Sequence, residues 1–325
     1  MKKLFAILMA VLMVLSISAC SNGSGGSEKP AEETTGTKTI GVVQLVQHAA
    51  LDAATQGFVD EVKKAFPDAN IVVQNASGDS ATCSTIVQGF VNDGVDLIMA
   101  NATPALQAAV SATGDIPILG TSVTEYGVAL GIDGFNGLVG SNVSGTSDLA
   151  PLDQQAQMIM DLFPETKTVG IIFCSNEANS KYQVEVVTKE LEAKGVTVKT
   201  ASFTDSNDIA MVCEDLCSQI DVLYIPTDNQ AASCAETIAN VVLEKKIPVI
   251  AGEEGICTLC GIATLTISYY DLGVTTGQMA VKILNGEEAI ENMPIQYFTN
   301  PIKKFNVENG KLFGLEMPAG FEAIE

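Results

Sequence analysis

The sequence has no tryptophan, one histidine, and 17 lysines and arginines against 39 aspartates and glutamates, for a net charge of −22. One histidine excludes the HExxH zinc motif and every site that needs several histidine ligands. The excess of acid argues against a nucleic-acid partner and against adhesion of the folded body to anionic lipid, because both require clustered basic side chains. The charge itself says little about what ligand, if any, the protein has.

Common catalytic motifs are missing as well. The chain has no GxSxG nucleophile elbow and no GxxxxGK[ST] phosphate loop. His48 and Asp52 stand four residues apart, the spacing of a base and an orienting acid on a helix, but no motif ties a nucleophile to them. We therefore predict a protein that is not an enzyme and that uses no cofactor and no metal.

Eight cysteines are present. One of them, Cys20, ends an N-terminal segment that resembles a lipoprotein signal, described in the next paragraph. If it is lipidated, seven cysteines remain, and an odd number in a chain of this length is not typical of a disulfide framework. Cys257 and Cys260 form a CxxC pair, but an apolar segment follows it and a second CxxC is absent. Cys213 and Cys217 have weak ligand spacing on a predicted helix. We interpret these thiols as structural, with an exported thiol oxidoreductase using Cys257 and Cys260 as the alternative.

The first 20 residues predict a secretory signal: a basic start, an apolar run from Leu4 to Leu15, and Ile17-Ser-Ala-Cys20 at the end. The apolar run is short for a transmembrane helix. The final tetrapeptide resembles the bacterial lipobox, so we predict that Cys20 is lipidated. Residues 21–38 lack bulky apolar side chains and predict a flexible tether. The protein would then be exported and held to the outer face of the bacterial cytoplasmic membrane by its lipid alone.

From Thr39 onward, β-branched runs alternate with helical patterns. Predicted strands begin at Ile40, Asn70, Asp96 and Ile116, and the same order restarts at Thr168, Thr197, Asp221 and Ile247. The strands are almost continuously apolar, as expected where helices cover both faces of a parallel sheet. The repeat predicts an α/β fold of two doubly wound parallel-sheet lobes joined by a hinge, with a ligand cleft between them.

Polar side chains follow the predicted strands, where open α/β sheets bind their ligands. The candidate ligand-binding residues are His48, Asp52, Asn75, Thr103 and Ser122 in the first half, Ser147 and Asp148 in the joining segment, and Glu177, Asn179, Ser180, Asp228, Asn229 and Glu253 in the second half. Hydroxyls and helix-end amides suit a carboxylate, and acidic side chains suit an ammonium, so a small zwitterion is the predicted ligand. For any single residue, helix capping is the competing interpretation.

Several ordered motifs resemble a known family. They are His48-Ala-Ala-Leu-Asp52, Ala102-Thr-Pro-Ala105, Asn142-Val-Ser-Gly145, Ser175-Asn-Glu-Ala-Asn-Ser180, Pro226-Thr-Asp-Asn229, Ala251-Gly-Glu-Glu-Gly255 and Tyr269-Tyr-Asp-Leu-Gly273. The chain resembles the lipoprotein substrate-binding components of bacterial ABC importers in the tryptophan/tyrosine-type group, on the type I periplasmic-binding-protein fold. The resemblance implies capture of a small solute, most often an aromatic amino acid, for an ABC permease driven by a separate ATPase. A surface ligand sensor is a further alternative.

The resemblance also implies three crossings between the lobes, with the helix from Leu272 to Asn285 returned to the first. The predicted domains are a signal peptide at 1–20, a tether at 21–38, an N-terminal lobe at 39–145 plus about 271–290, and a C-terminal lobe at 146–270 plus about 291–325. This chain departs from the family at Ala49, where proline is usual, and at Ser268, where aspartate is usual. Tyr126, Phe135, Tyr182 and Tyr224 are candidates for an aromatic wall.

Overall fold

The computed structural model describes residues 36–298 and 300–324. The predicted signal segment, Cys20 and nearly all of the predicted tether lie outside the described residues. Across the described part of the chain, none of the helices combines the length and the apolar character needed to cross a bilayer.

Six strands form the sheet of the first lobe, all parallel and in the order β11-β5-β4-β3-β1-β2. They are β1 (Thr39–Gln44), β2 (Asn70–Asn75), β3 (Leu97–Asn101), β4 (Ile118–Val123), β5 (Val143–Ser147) and β11 (Gln296–Tyr297). The helices of this lobe are α1 (Ala49–Ala65), α2 (Ser80–Asp93), α3 (Thr103–Ala112), α4 (Tyr126–Leu130) and α11 (Tyr269–Leu284), with a 3-10 helix at Ile290–Asn292.

Seven strands form the sheet of the second lobe, in the order β13-β12-β10-β9-β8-β6-β7, and β12 runs antiparallel to β10. They are β6 (Thr168–Cys174), β7 (Thr197–Phe203), β8 (Val222–Ile225), β9 (Val249–Ala251), β10 (Ala263–Thr266), β12 (Ile302–Phe305) and β13 (Glu322–Ala323). The helices are α5 (Leu152–Leu162), α6 (Ala178–Ala193), α7 (Ile209–Cys217), α8 (Asn229–Ser233), α9 (Ala235–Lys245), α10 (Glu254–Leu259) and α12 (Val307–Leu312). The prediction of two parallel-sheet α/β lobes is confirmed.

Each sheet is covered on both faces, because its strands alternate apolar side chains between two cores. In β1, Val42 packs with Phe58 on one face, and Val43 packs with Phe90 on the other. Burial of a side chain of this size contributes roughly 1.5–3 kcal/mol to stability. Because the paired strands β2, β1, β3, β4 and β5 are parallel, their carboxyl ends and the polar residues that follow them lie at one edge of the sheet.

The hinge helix α11 packs along α1 of the first lobe at backbone contact distance. A Cβ atom on Gly273 would lie 1.9 Å from the Ala54 carbonyl oxygen, and one on Gly57 would lie 2.1 Å from the Tyr270 carbonyl oxygen. Only glycine allows this approach. The close contact holds the start of α11, where the chain leaves the second lobe, in a fixed position against the first.

The chain passes between the lobes three times, between Ser147 and Leu152, between Thr266 and Tyr269, and between Tyr297 and Ile302. Two predicted boundaries differ from this. The joining segment is the buried strand β5, so the first lobe extends past residue 145. Residues beyond 291 stay with the first lobe, because Met293 and Ile295 are buried in its cores and β11 pairs with β5. We therefore place the third crossing after β11.

Candidate functional site

Three neighbouring strands of the first lobe end beside one another. Thr103 follows β3, Ser122 lies at the end of β4, and Asp148 follows β5. Backbone hydrogen bonds fix their order, since the Ala102 amide donates to the Thr121 carbonyl and the Asp148 amide donates to the Val123 carbonyl. The three predicted residues therefore lie along one sheet edge.

Each of these residues is at least nine-tenths buried and has a polar side-chain atom with no partner among the described residues. The atoms are Thr103 Oγ1, Ser122 Oγ and Asp148 Oδ1. Leaving a buried polar group unpaired costs roughly 1–3 kcal/mol. Three such atoms on one sheet edge are expected where a polar ligand is held, and rarely elsewhere.

The backbone at this edge is also unusual. Ala102 has φ 96° and Ser122 has φ 53°, a region that non-glycine residues seldom adopt and that is concentrated at functional sites. Ala102 supplies no side-chain cap to α3, and Pro104 has no amide hydrogen, so the Thr103 and Ala105 amides at the start of this ten-residue helix receive no side-chain cap from Ala102. A helix N-terminus and two hydroxyls form a site suited to a carboxylate.

The second lobe is organised differently. Glu177, at the start of α6, accepts four hydrogen bonds. Two come from the backbone amides of Asn229 (3.1 Å) and Gln230 (2.9 Å), and two come from the side-chain nitrogens Asn229 Nδ2 (2.6 Å) and Asn179 Nδ2 (3.0 Å). Asn179 keeps one buried oxygen, Oδ1, without a partner among the described residues. Glu177 therefore holds the loop after β8 in place.

Two further carboxylates of the second lobe act as helix caps. Asp228 accepts from the Cys174 amide (2.6 Å) and the Ala231 amide (2.8 Å). Glu253 accepts from the amides of Gly255 and Ile256 at the start of α10. The contacts of Asp228 and Glu253 in this structure are therefore those of helix-capping residues.

Burial shifts the pKa values of these acids. It raises the pKa of Glu253 to about 7, and it raises the pKa values of Asp148, Asp228 and Glu177, the last with a contribution from Asp228. Buried carboxylates without cations favour a ligand that brings positive charge. The site therefore suits an ammonium group.

Asp148 connects the site to the hinge. Its Oδ2 accepts from the Tyr269 hydroxyl at 2.9 Å, and Tyr269 is the first residue of α11. The bond joins the first crossing to the second. Ser268 caps α11 by accepting from the Asp271 amide at 3.2 Å.

Two polar contacts join the lobes across the cleft. His48 Nε2 lies 3.4 Å from Asn229 Oδ1, and Gln230 Nε2 donates to the Gly78 carbonyl at 2.9 Å. Burial lowers the pKa of His48 to about 4, against opposite effects of Asn229 and Asp52. The histidine is therefore neutral at pH 7, and the lobes are in contact in this structure.

Three further predicted residues make hydrogen bonds within the first lobe. Asp52 is exposed and accepts from Gln44 Nε2, and Asn75 is exposed and accepts from the Ser77 amide within a turn. Ser147 is buried, but its hydroxyl donates to the Thr124 carbonyl. These three residues were predicted because they are polar and follow strands, and short-range hydrogen bonding uses the same residue types as ligand binding.

The proposed aromatic wall is only partly available. Tyr126 and Tyr224 are fully buried, with hydroxyls bonded to the Thr146 carbonyl and to Gln155, so they belong to the cores. Phe135 and Tyr182 are half-buried.

The CxxC cysteines are buried in the core of the second lobe. Burial raises the thiol pKa values of Cys257 and Cys260. Cys213 and Cys217 lie in the same core with their sulfurs 3.9 Å apart. Reactive thiols have lowered pKa values and solvent access, which the CxxC pair lacks. Among the described residues, no group of histidine, cysteine and acidic side chains could hold a metal ion.

The prediction missed Gln230, Tyr269 and Gly78. Gln230 ends a polar run after β8, and Tyr269 begins a helix after β10, so both positions were visible as strand ends. Gly78 takes part through its carbonyl oxygen, which the side-chain pattern does not indicate.

Two α/β lobes joined by three crossings, with a polar cleft between their strand ends, define the class of two-lobed solute-binding proteins. Residues 39–315 match the family described as ABC transporter substrate binding protein. The chain belongs to this family, and it is the substrate-binding subunit of an ABC transporter, a component that works outside the cytoplasm.

Relatives agree with this assignment. The "Tyrosine-binding protein" of Clostridioides difficile (strain R20291) is 35% identical over 302 residues, covering 90% of this chain and 87% of the relative. An ABC domain from Streptococcus pneumoniae solved in complex with L-Trp is 31% identical, with a TM-score of 0.84 and coverage of 89% of this chain and 100% of that one.

A third relative is a solved structure with a lower TM-score. The ligand-free, open structure of a substrate-binding protein with adhesive properties from Clostridium difficile is 38% identical but has a TM-score of 0.67, with coverage of 89% and 99%. The chain is therefore more similar in structure to the less identical L-Trp complex than to this open structure. Its own lobes are in contact through His48 with Asn229 and Gln230 with Gly78.

Proposed function

We propose that the protein captures an aromatic amino acid, tyrosine, tryptophan or phenylalanine, and delivers it to a membrane permease powered by a separate ATPase. The observation that carries the proposal is the row of unpaired buried atoms on the first lobe. Asp148 Oδ1 suits the ammonium, and the hydroxyls of Thr103 and Ser122 with the N-terminus of α3 suit the carboxylate. The tyrosine and tryptophan named for the relatives support the aromatic side chain.

Thermal unfolding of the mature protein against a panel of amino acids tests this function. A ligand at 100 times its dissociation constant stabilises by about 2.7 kcal/mol. Because the chain has no tryptophan, added tryptophan also reports its own capture by fluorescence. We expect shifts with the three aromatic amino acids and none with leucine.

Two analogues sharpen the assignment of groups. Tyramine lacks the carboxylate and 3-(4-hydroxyphenyl)propanoate lacks the ammonium. Both should bind much more weakly than L-tyrosine, because a site that hydrogen-bonds a group rejects the analogue without it. Equal binding of all three would contradict the zwitterion site, and a shift only with an unrelated solute would replace the aromatic assignment.

We also propose that Cys20 carries a lipid that anchors the protein to the outer face of the cytoplasmic membrane. The proposal is supported by the order of basic start, short apolar run and terminal cysteine. Mass spectrometry of the protein from membranes should find the N-terminus at Cys20 with an added lipid mass. An unmodified N-terminus would contradict it.

A further inference from the structure

The Glu177 side chain is fully occupied within its own lobe. Its Oε2 accepts from Asn179 Nδ2 and from both the amide and Nδ2 of Asn229, and its Oε1 accepts from the Gln230 amide. The residue is 2% exposed. A carboxylate with four donors has little remaining capacity for a ligand. Its effect passes instead through Asn229 and Gln230.

The Glu177 carboxylate fixes the orientation of the side-chain amide of Asn229. A carboxylate only accepts hydrogen bonds, so the nitrogen of Asn229 must face Glu177 and its oxygen must face the other lobe. That oxygen lies 3.4 Å from His48 Nε2. Because a carbonyl oxygen also only accepts, His48 must carry its proton on Nε2. The direction of the first cross-lobe bond therefore follows from Glu177.

The second cross-lobe bond starts from the neighbouring residue. Glu177 Oε1 accepts from the backbone amide of Gln230. The Gln230 side chain reaches across the cleft and donates from Nε2 to the Gly78 carbonyl at 2.9 Å. Gly78 has φ +83°, and a Cβ atom there would lie 2.2 Å from Gln230 Nε2. The approach of the two lobes at this point depends on both residues.

We propose that Glu177 is a positioning residue for lobe closure, which orients Asn229 and Gln230 so that they bond His48 and Gly78 of the first lobe. It does so without touching the captured solute. The inference rests on the two-lobed capture function proposed above, and not on which solute is captured.

The single histidine of the chain provides a direct readout of closure. In protein labelled with ¹⁵N-histidine, the pKa of His48 is measured by NMR, with and without L-tyrosine. A hydrated histidine titrates near 6.5, whereas burial in the closed cleft lowers the pKa to about 4. The charged groups facing the ring are Asp52 on α1 and, behind Asn229, the Glu177–Asp228 pair.

The variant Glu177→Gln separates two effects of opposite sign. Glutamine offers one acceptor oxygen where four donors converge, so the loop loses its orientation and the closed form is less populated. Loss of closure raises the pKa of His48 by rehydration, whereas loss of the negative charge alone would lower it. We expect the pKa to rise by one unit or more and L-tyrosine to bind about tenfold more weakly.

Two further variants complete the test. Gln230→Ala removes the bond to Gly78 without touching His48 or the Glu177 carboxylate, and it should also raise the pKa of His48. Glu185→Gln makes the same charge change on the same helix, at an exposed residue paired with Lys189, and should behave as wild type.

An unchanged or lowered His48 pKa in Glu177→Gln, together with an unchanged value in Gln230→Ala, would overturn the proposal. A wild-type histidine that titrates near 6.5 while calorimetry shows L-tyrosine to be bound would overturn it too, because the lobes would then capture a solute without closing on Asn229. If the wild-type value is low and the variants raise it, while neither L-tyrosine nor L-tryptophan binds by calorimetry, the positioning role stands and the aromatic assignment fails.

Discussion

The two walls of the cleft present similar residues in opposite states. On the first lobe, the Thr103, Ser122 and Asp148 side chains each keep a buried polar atom without a partner among the described residues. On the second lobe, the carboxylates of Glu177, Asp228 and Glu253 are saturated by backbone amides and side-chain amides. Strand-end polarity therefore has two uses, one in holding a ligand and one in building the loops that close over it. Mutations should separate the two walls, since loss of an unpaired atom on the first lobe should weaken ligand binding, whereas loss of a helix cap on the second lobe should lower stability.

The largest effect on ligand affinity is expected for Asp148→Asn. Asparagine keeps the shape and can still accept from the Tyr269 hydroxyl, but it loses the charge that faces the ammonium. The affinity for L-tyrosine should fall about a hundredfold, near 2.7 kcal/mol. The free energy of unfolding without ligand should stay the same or increase, because a buried carboxylate is removed. Calorimetry and denaturation measure the two quantities. An equal loss of affinity for 3-(4-hydroxyphenyl)propanoate would show that the charge is not the cause.

The pH dependence of stability tests the buried, hydrogen-bonded carboxyl groups of the second lobe. The pKa of Glu253 is raised to about 7 in the folded protein, against an ordinary value near 4.5. The folded state then binds more protons than the unfolded state between these values, so the contribution of Glu253 to stability is present at low pH and is lost as pH rises to 7. The loss is about 3 kcal/mol at most.

Thermal melts from pH 5 to 8 measure this effect. Glu253→Gln should flatten the decline, and Glu244→Gln, at an exposed position of α9, should leave it in place. An unchanged slope in Glu253→Gln would show that this carboxyl is ionised throughout the range.

Removing a cap should destabilise the second lobe. Asp228→Ala leaves the amides of Cys174 and Ala231 without their acceptor, and the free energy of unfolding should fall by about 2 kcal/mol. Urea denaturation measures it. Asp205→Ala, at an exposed turn, should change stability by less than about 0.5 kcal/mol. A comparable loss in both variants would mean that burial of the cap is unimportant.

The smallest effect is expected for the Thr103 hydroxyl on the first lobe. Thr103→Val removes an oxygen that has no partner within the described chain, so stability should be nearly unchanged while L-tyrosine binds about tenfold more weakly. Thr146→Val is the matched change in a paired hydroxyl, bonded to Thr121 and Thr276. It should cost about 1 kcal/mol of stability and leave affinity intact. The reverse result would exchange the roles of the two positions.

Much of the fold followed from local pattern. The apolar strands and the helix beginning at Thr103-Pro104 were predicted from periodicity and capping signals, and the structure has them within a few residues. The stretch from Asn142 to Asp148, which contains β5, was predicted to be a segment that joins the two halves. It is a strand because Gly145 allows contact with β4, where a Cβ would lie 2.0 Å from the Gly120 carbonyl oxygen. That contact is not visible in the sequence.

The site was predictable as a set of positions and not as a set of roles. Thr103, Ser122, Asp148 and Glu253 were all chosen because polar residues follow buried strands. Nothing in the spacing distinguished Asp148, with a free oxygen, from Glu253, which caps α10. The distinction depends on which backbone amides reach each carboxylate.

The sequence by itself determined the alternation of strands and helices, the two lobes and the polarity of the strand ends, because these depend on side-chain periodicity and on local hydrogen bonding. Only the tertiary structure decided the rest. Close glycine packing places α11 against α1, and β11 extends the first sheet. The contacts of His48 with Asn229 and of Gln230 with Gly78 join residues more than 150 positions apart. Such contacts depend on how the two lobes meet, and no local pattern in the chain encodes that geometry.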